Sequence, residues 1–164
     1  MGTTSPHRNS PSWHRVERRP ASPAGAHRGR VGEPFEGSHF DRVLVDVPCS
    51  GLGTLRRNPE ARWRLRPADV EAFPARQVAL LVRYAPLTAV GGRLIYATCT
   101  VNRRENEGVV ERFLAERDDF APVPVKEIWG RERAEKLGDG MTLRLFPHRH
   151  DTDGFFAAVL RRVR

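Results

Sequence analysis

Of 164 residues, only two each are cysteine, methionine, tyrosine and lysine. Two cysteines cannot build a disulfide framework. They could pair with each other, but a reduced pair in the cytosol is the simpler reading. No apolar run nears the ~20 residues a membrane helix needs. The amino terminus lacks the apolar core of a secretory signal. A cytoplasmic protein with no membrane partner is therefore expected. His148 and His150 lack ligand-spaced companions, so they read as turn residues and no metal is expected. Acids are short as well: 20 against 28 basic residues, for a net charge of +8. That balance favours a polyanionic partner, nucleic acid first. Twenty-six of the 28 basic residues are arginine. Such a bias also fits an ordinary solvated surface, so charge alone ranks candidates without choosing one.

Residues 1–39 lack aliphatic periodicity. They hold five Pro, five Gly, five Ser and four of the six His. Such a stretch buries too little apolar surface to offset its ordering entropy, so a disordered low-complexity tail is expected. Residues 40–164 are read as the folded domain.

Within that domain, Phe40–Gly53 (FDRVLVDVPCSGLG) stands out. Val43, Leu44, Val45 and Val47 form a near-continuous apolar run, the pattern of a strand buried on both faces of a parallel sheet. Asp46, Pro48, Cys49, Ser50 and Gly51 follow. Polar and reactive groups at the carboxyl end of a parallel strand are where open α/β sheets place ligands. Arg93–Ala97 reads as a second strand, ending in Thr98, Cys99 and Thr100. Both cysteines thus sit where a strand meets its loop.

The rest alternates. Residues 52–66 form an arginine-rich loop with Arg56, Arg57, Arg62 and Arg64 around Trp63, a composition suited to phosphates and unstacked bases. Trp63 reads equally well as a core residue. Residues 67–90 should be helical, with Pro74 opening a second segment, Pro86 ending it and Gly91-Gly92 leading into the next strand. Asn102 and Glu105 form a capping-box spacing ahead of a helix that buries Val109, Val110, Phe113 and Leu114. Residues 120–125 read as a short strand or extended loop. Residues 141–146 and 155–160 read as an antiparallel hairpin. The order β-α-β-α-(β)-β-β is that of the carboxyl half of a doubly wound α/β sheet.

Asp46-Val47-Pro48-Cys49-Ser50-Gly51 and Ala97-Thr98-Cys99-Thr100, taken together, resemble the catalytic half of the RsmB/NOP2/Sun family of RNA cytosine-5 methyltransferases. Arg57-Asn58-Pro59-Glu60, Glu105-Asn106-Glu107, Phe146-Pro147-His148 and Thr152-Asp153-Gly154-Phe155-Phe156 extend the likeness from about Phe40 to the end. The resemblance implies a Rossmann-like fold, S-adenosylmethionine as cofactor and RNA, rRNA first, as partner. It implies Cys99 as nucleophile, Cys49 as the residue assisting product release, and Asp46 with Pro48 on the cofactor side. It supports RNA contact by Arg57, alongside Arg56, Arg62 and Arg64.

The chemistry suits these residue types. Cytosine C5 is a poor nucleophile until a thiolate adds at C6. By residue type alone either thiol could serve, since the cysteine of a Pro-Cys pair is the nucleophile in DNA cytosine-5 methyltransferases. A cysteine–histidine hydrolase using His148 fits residue types but not flanking sequence. No Gly-x-Gly-x-x-Gly follows a strand before Phe40. The chain is therefore expected to be a truncated form, with a separately encoded amino-terminal half as a candidate partner. A catalytically silent, basic RNA-binding remnant is the alternative.

Overall fold

The computed structural model describes residues 39–164; the expected tail lies outside them except for His39. Among the described residues, β1 spans Phe40–Asp46, α1 Ala61–Arg64 and α2 Pro67–Tyr84. A 3-10 turn at Ala85–Leu87 leads into β2, Thr88–Thr98. Then come α3 (Glu107–Glu116), β3 (Phe120–Val123), α4 (Val125–Trp129) and α5 (Arg131–Lys136). The chain continues through β4 (Leu143–Leu145), α6 (Pro147–His150) and β5 (Phe155–Arg162).

These strands form one mixed sheet. Its order is β1-β2-β5-β3, and β4 also pairs with β5. β1 and β2 are parallel, as the α2 crossover between them requires. β5 runs antiparallel to β2, β3 and β4. β3 and β4 follow one another along the edge of β5 that β2 leaves open.

Period-two alternation decides which face is core. Leu94, Tyr96, Phe156, Ala158 and Leu160 are buried and meet Leu81 and Ala85 from the α2 side and Val109 and Phe113 from α3. Phe113 packs edge-on against Phe120, with ring centroids 5.4 Å apart. Truncating a fully buried leucine such as Leu81 to alanine costs roughly 2–5 kcal/mol.

The other face is thinly covered. An apolar cleft of about 210 Å³ opens there, lined by Ile95, Val159, Leu143 and the α4 residues Ile128 and Trp129. The thin cover reaches β1 as well. β1 was expected to be buried on both faces, yet Val45 is buried while Leu44 is 67% exposed. Among the described residues β1 has one neighbour and one covering helix layer, so its side chains alternate in and out.

Other boundaries move for local reasons. Pro74 does not open a second segment; α2 runs through it, and its ring is buried. Gly91 and Gly92 do not stop the helix, which ends at Tyr84; they lie inside β2, with Gly91 at φ +79°. The β1–β2 register is irregular at this point, between Phe40 and Arg42. Asn102 is not the cap of α3, which begins at Glu107. The loop expected over residues 52–66 contains the single-turn α1. α4 and α5, unexpected from the sequence, carry the chain from β3 to β4.

Candidate active site

The parallel pairing of β1 and β2 builds the site. Asp46 lies opposite Ala97, and the Val47 N–H donates to Ala97 O at 3.2 Å. The two chains therefore leave the sheet side by side, as Pro48-Cys49-Ser50 and Cys99-Thr100. The sulfurs of Cys49 and Cys99 come to 3.4 Å. One residue further on, Ser50 Oγ and Thr100 Oγ1 are hydrogen-bonded at 2.8 Å, and both residues are buried.

Four further contacts fix the loops. The Gln77 side-chain amide, from α2, donates to Pro48 O at 3.0 Å. Glu105 accepts the Ser50 N–H at 2.8 Å. The Gly53 N–H donates to Cys99 O at 3.0 Å, and the Gly154 N–H to Gly53 O at 2.8 Å. A Cβ on Gly53 would lie 2.1 Å from Gly154 O, so only glycine permits this approach.

The two thiols are not equivalent. The two sulfurs share one hydrogen bond; once Cys99 ionises, the Cys49 S–H is its donor and stabilises the thiolate, pulling the Cys99 pKa down to about 7. Desolvation and the nearby Asp46 and Glu105 charges oppose that shift without cancelling it. The same hydrogen bond, together with burial, pushes the Cys49 thiol well above its ordinary value, since Cys49 sits deeper. The first proton thus leaves from Cys99, and the one that remains is held by Cys49 and shared with the thiolate. Both cysteines are free thiols.

Asp46 and Pro48 lie at this strand end, and both are exposed. The arginines divide into two sets. Arg57 pairs with Asp153 at 3.0 Å, and Arg56 with Asp151 at 3.3 Å. Asp153 is nearly buried, so Arg57 ties the loop after β1 to the one before β5. Arg62 and Arg64 are exposed on α1, and Trp63 between them is 87% exposed. Trp63 is therefore no core residue. His150 is used inside its own loop: Nδ1 accepts the Phe146 N–H at 2.9 Å, and Nε2 lies 2.8 Å from Lys136 O.

Two buried residues beside the thiols were not read as part of the site. Glu105 was expected as a cap and as part of the Glu105-Asn106-Glu107 motif, without a role beside the thiols; Gln77 carried no reading of its own, and no local signal distinguishes an inward-facing glutamine from a surface one.

The family model for 16S rRNA methyltransferase RsmB/F matches residues 25–161. The chain belongs to the RsmB/F family. The match begins ahead of Phe40, where the motif resemblance starts. A "Probable ribosomal RNA small subunit methyltransferase B" from Synechocystis is 47% identical over 123 residues, covering 75% of this chain and 27% of that protein. The crystal structure of PH0851 superposes with a TM-score of 0.65 at 41% identity, covering 74% of this chain and 26% of that one. NSun6 from Pyrococcus horikoshii with SFG gives a TM-score of 0.59 at 30% identity, covering 78% and 31%. The RsmB/F chain described here spans under a third of the length of these relatives. Among its described residues no helix is long and apolar enough to cross a membrane, and no group of three or more metal-ligating side chains forms.

Proposed function

We propose that this RsmB/F chain carries the thiol centre of an S-adenosylmethionine-dependent RNA cytosine-5 methyltransferase, acting in the cytoplasm on rRNA. One observation carries the reading: two unlike thiols 3.4 Å apart, at the ends of adjacent parallel strands. The Cys99 thiolate adds to C6 of cytosine; the S–C6 bond forms and the C5–C6 π pair moves toward C5. S-adenosylmethionine, when bound, supplies the electrophilic methyl group that C5 takes. A base then removes the C5 proton, the electron pair restores the C5–C6 double bond, and the Cys99 sulfur departs with its bonding pair. The Cys49 S–H, aimed at that sulfur, stabilises the departing thiolate and so assists release.

The residues at the strand end fit the cationic end of the cofactor. Asp46 is exposed there and close enough to Cys99 to act on its charge, and Pro48 beside it is exposed too. SFG, an analogue of S-adenosylmethionine, accompanies the NSun6 relative. A separately encoded amino-terminal half is the partner that would bring a glycine-rich motif to this site. Arg62 and Arg64 are the leading RNA contacts. Arg56 and Arg57 contribute less, because Asp151 and Asp153 already engage them.

The test is covalent capture. The chain complemented with a glycine-rich amino-terminal half, or a full-length form, is incubated with S-adenosylmethionine and an rRNA fragment carrying 5-azacytidine, and denaturant-stable adducts are counted. Cys99→Ala should abolish capture and Cys49→Ala should retain it. Loss in Cys49→Ala alone would reverse the two roles. RNA binding without capture by the unsubstituted, complemented form would favour the silent RNA-binding remnant.

A further inference from the structure

Glu105 is fully buried, yet its partners among the described residues are neutral donors drawn from three separate segments. Ser50 N–H, from the loop after β1, reaches Oε2 at 2.8 Å. The Gln77 amide, from α2, reaches the same oxygen at 3.1 Å. The Asn102 amide, from the turn after β2, reaches Oε1 at 2.9 Å. The backbone oxygen of Glu105 accepts the Tyr96 hydroxyl at 2.5 Å. Cys49 lies between two of the groups so tied. Pro48 O is held by Gln77, and Ser50 N–H by Glu105. A buried carboxyl is costly unless its oxygens are satisfied, and here their satisfaction fixes the backbone on both sides of one thiol.

We infer that Glu105 is a positioning residue for the thiol pair: it clamps the Cys49 loop against α2 and the Cys99 loop, and so keeps the two sulfurs in hydrogen-bond contact. The inference rests on the assignment of Cys99 as the nucleophile. It gives Glu105 no contact with cytosine or cofactor. Its action reaches Cys99 through Ser50 and Cys49.

The groups facing Cys99 make a sign test possible. They are the Cys49 thiol, the Asp46 carboxylate and Glu105 itself, with the Tyr96 hydroxyl tied to Glu105 behind them. Glu105→Gln removes a negative charge, which alone lowers the midpoint for ionising Cys99. It also sets an amide N–H₂ against donor groups, which loosens the clamp and withdraws the Cys49 hydrogen bond, raising the midpoint. The readout is iodoacetamide modification of Cys99 in the full chain against pH, located by peptide mass spectrometry, with circular dichroism to verify the fold.

In the unsubstituted chain the midpoint should lie below that of an ordinary thiol. Glu105→Gln should raise it and slow modification at pH 7 severalfold. In a Cys49→Ala background the same substitution should not raise it. A folded Glu105→Gln protein whose midpoint falls or stays put would overturn the inference, as would a rise that persists without Cys49. If Glu105→Gln does not fold, Gln77→Leu, which releases Pro48 O, should raise the midpoint; an unmoved value there would overturn it equally. None of these readings needs methyl transfer, so failure of the enzymatic proposal and failure of the clamp are separable.

Discussion

A thiolate 3.4 Å from a thiol shares a proton it cannot share in the unfolded chain. That gives residue-scale chemistry a signature in stability. Cys99 ionises at about 7 when folded, against an ordinary 9.0. A group with a depressed folded pKa contributes stability that is fully present above the unfolded value and lost as pH falls through the folded one. The contribution of Cys99 should therefore grow between about pH 7 and 9. Cys49 is shifted the other way, so its contribution is present below 9.0 and is lost as pH rises beyond it. Urea midpoints should thus increase from pH 7 toward 9 and decline above that. Cys99→Ser should flatten the rise. A slope unchanged in that variant would mean that other groups produce it.

Elements matter here mainly through where they stop. Two strand ends and one hairpin end converge, and their loops touch backbone to backbone at Gly53 and Gly154. Gly53→Ala should cost about 1–3 kcal/mol or more, because its Cβ would meet a carbonyl oxygen rather than a yielding side chain. Gly108→Ala in α3 is the control. Its Cβ would find ordinary contact at 3.5 Å, so that variant should be neutral or stabilising. Urea denaturation of both variants checks this, and equal losses would refute the close-approach argument. The strand ends were legible in the sequence because Asp46-Val47-Pro48-Cys49 and Ala97-Thr98-Cys99 change abruptly from apolar to reactive residues. Glu105 was legible as a motif residue but not as a neighbour of the thiols, since a capping box and a turn that sends its carboxyl inward share the same three-residue spacing. Gly91-Gly92 misled for a related reason: glycine after a helical pattern reads as a stop, whereas here it permits an irregular strand start. Exposure of Leu44 on one face of β1 depends on what packs over that face, which is a tertiary fact that the apolar run Val43-Leu44-Val45 does not encode.

At the scale of the whole molecule, the net charge of +8 pulls toward RNA wherever its arginines stand, but only some of them can neutralise phosphate at no internal cost. Arg57 is needed by Asp153, whose carboxylate is nearly buried; stripping it away leaves a buried charge without its partner. Arg62 and Arg64 flank the exposed Trp63, so guanidinium and indole face solvent together, as a backbone-plus-stacking contact requires. These differences predict unequal salt dependence. For single-stranded RNA each lost phosphate contact should shrink the slope of log affinity against log salt by about 0.7. Arg62→Ala with Arg64→Ala should remove most of the slope that the quadruple Arg56, Arg57, Arg62 and Arg64 alanine variant removes. Adding Arg57→Ala should chiefly lower the urea midpoint instead. Trp63→Ala should weaken binding by about 1–3 kcal/mol with the slope unchanged, because stacking releases no counterions. Fluorescence anisotropy with a labelled single-stranded rRNA segment over a salt series measures all of these. A slope indifferent to Arg62 and Arg64 would move the RNA path away from α1 and leave Trp63 as an exposed surface residue.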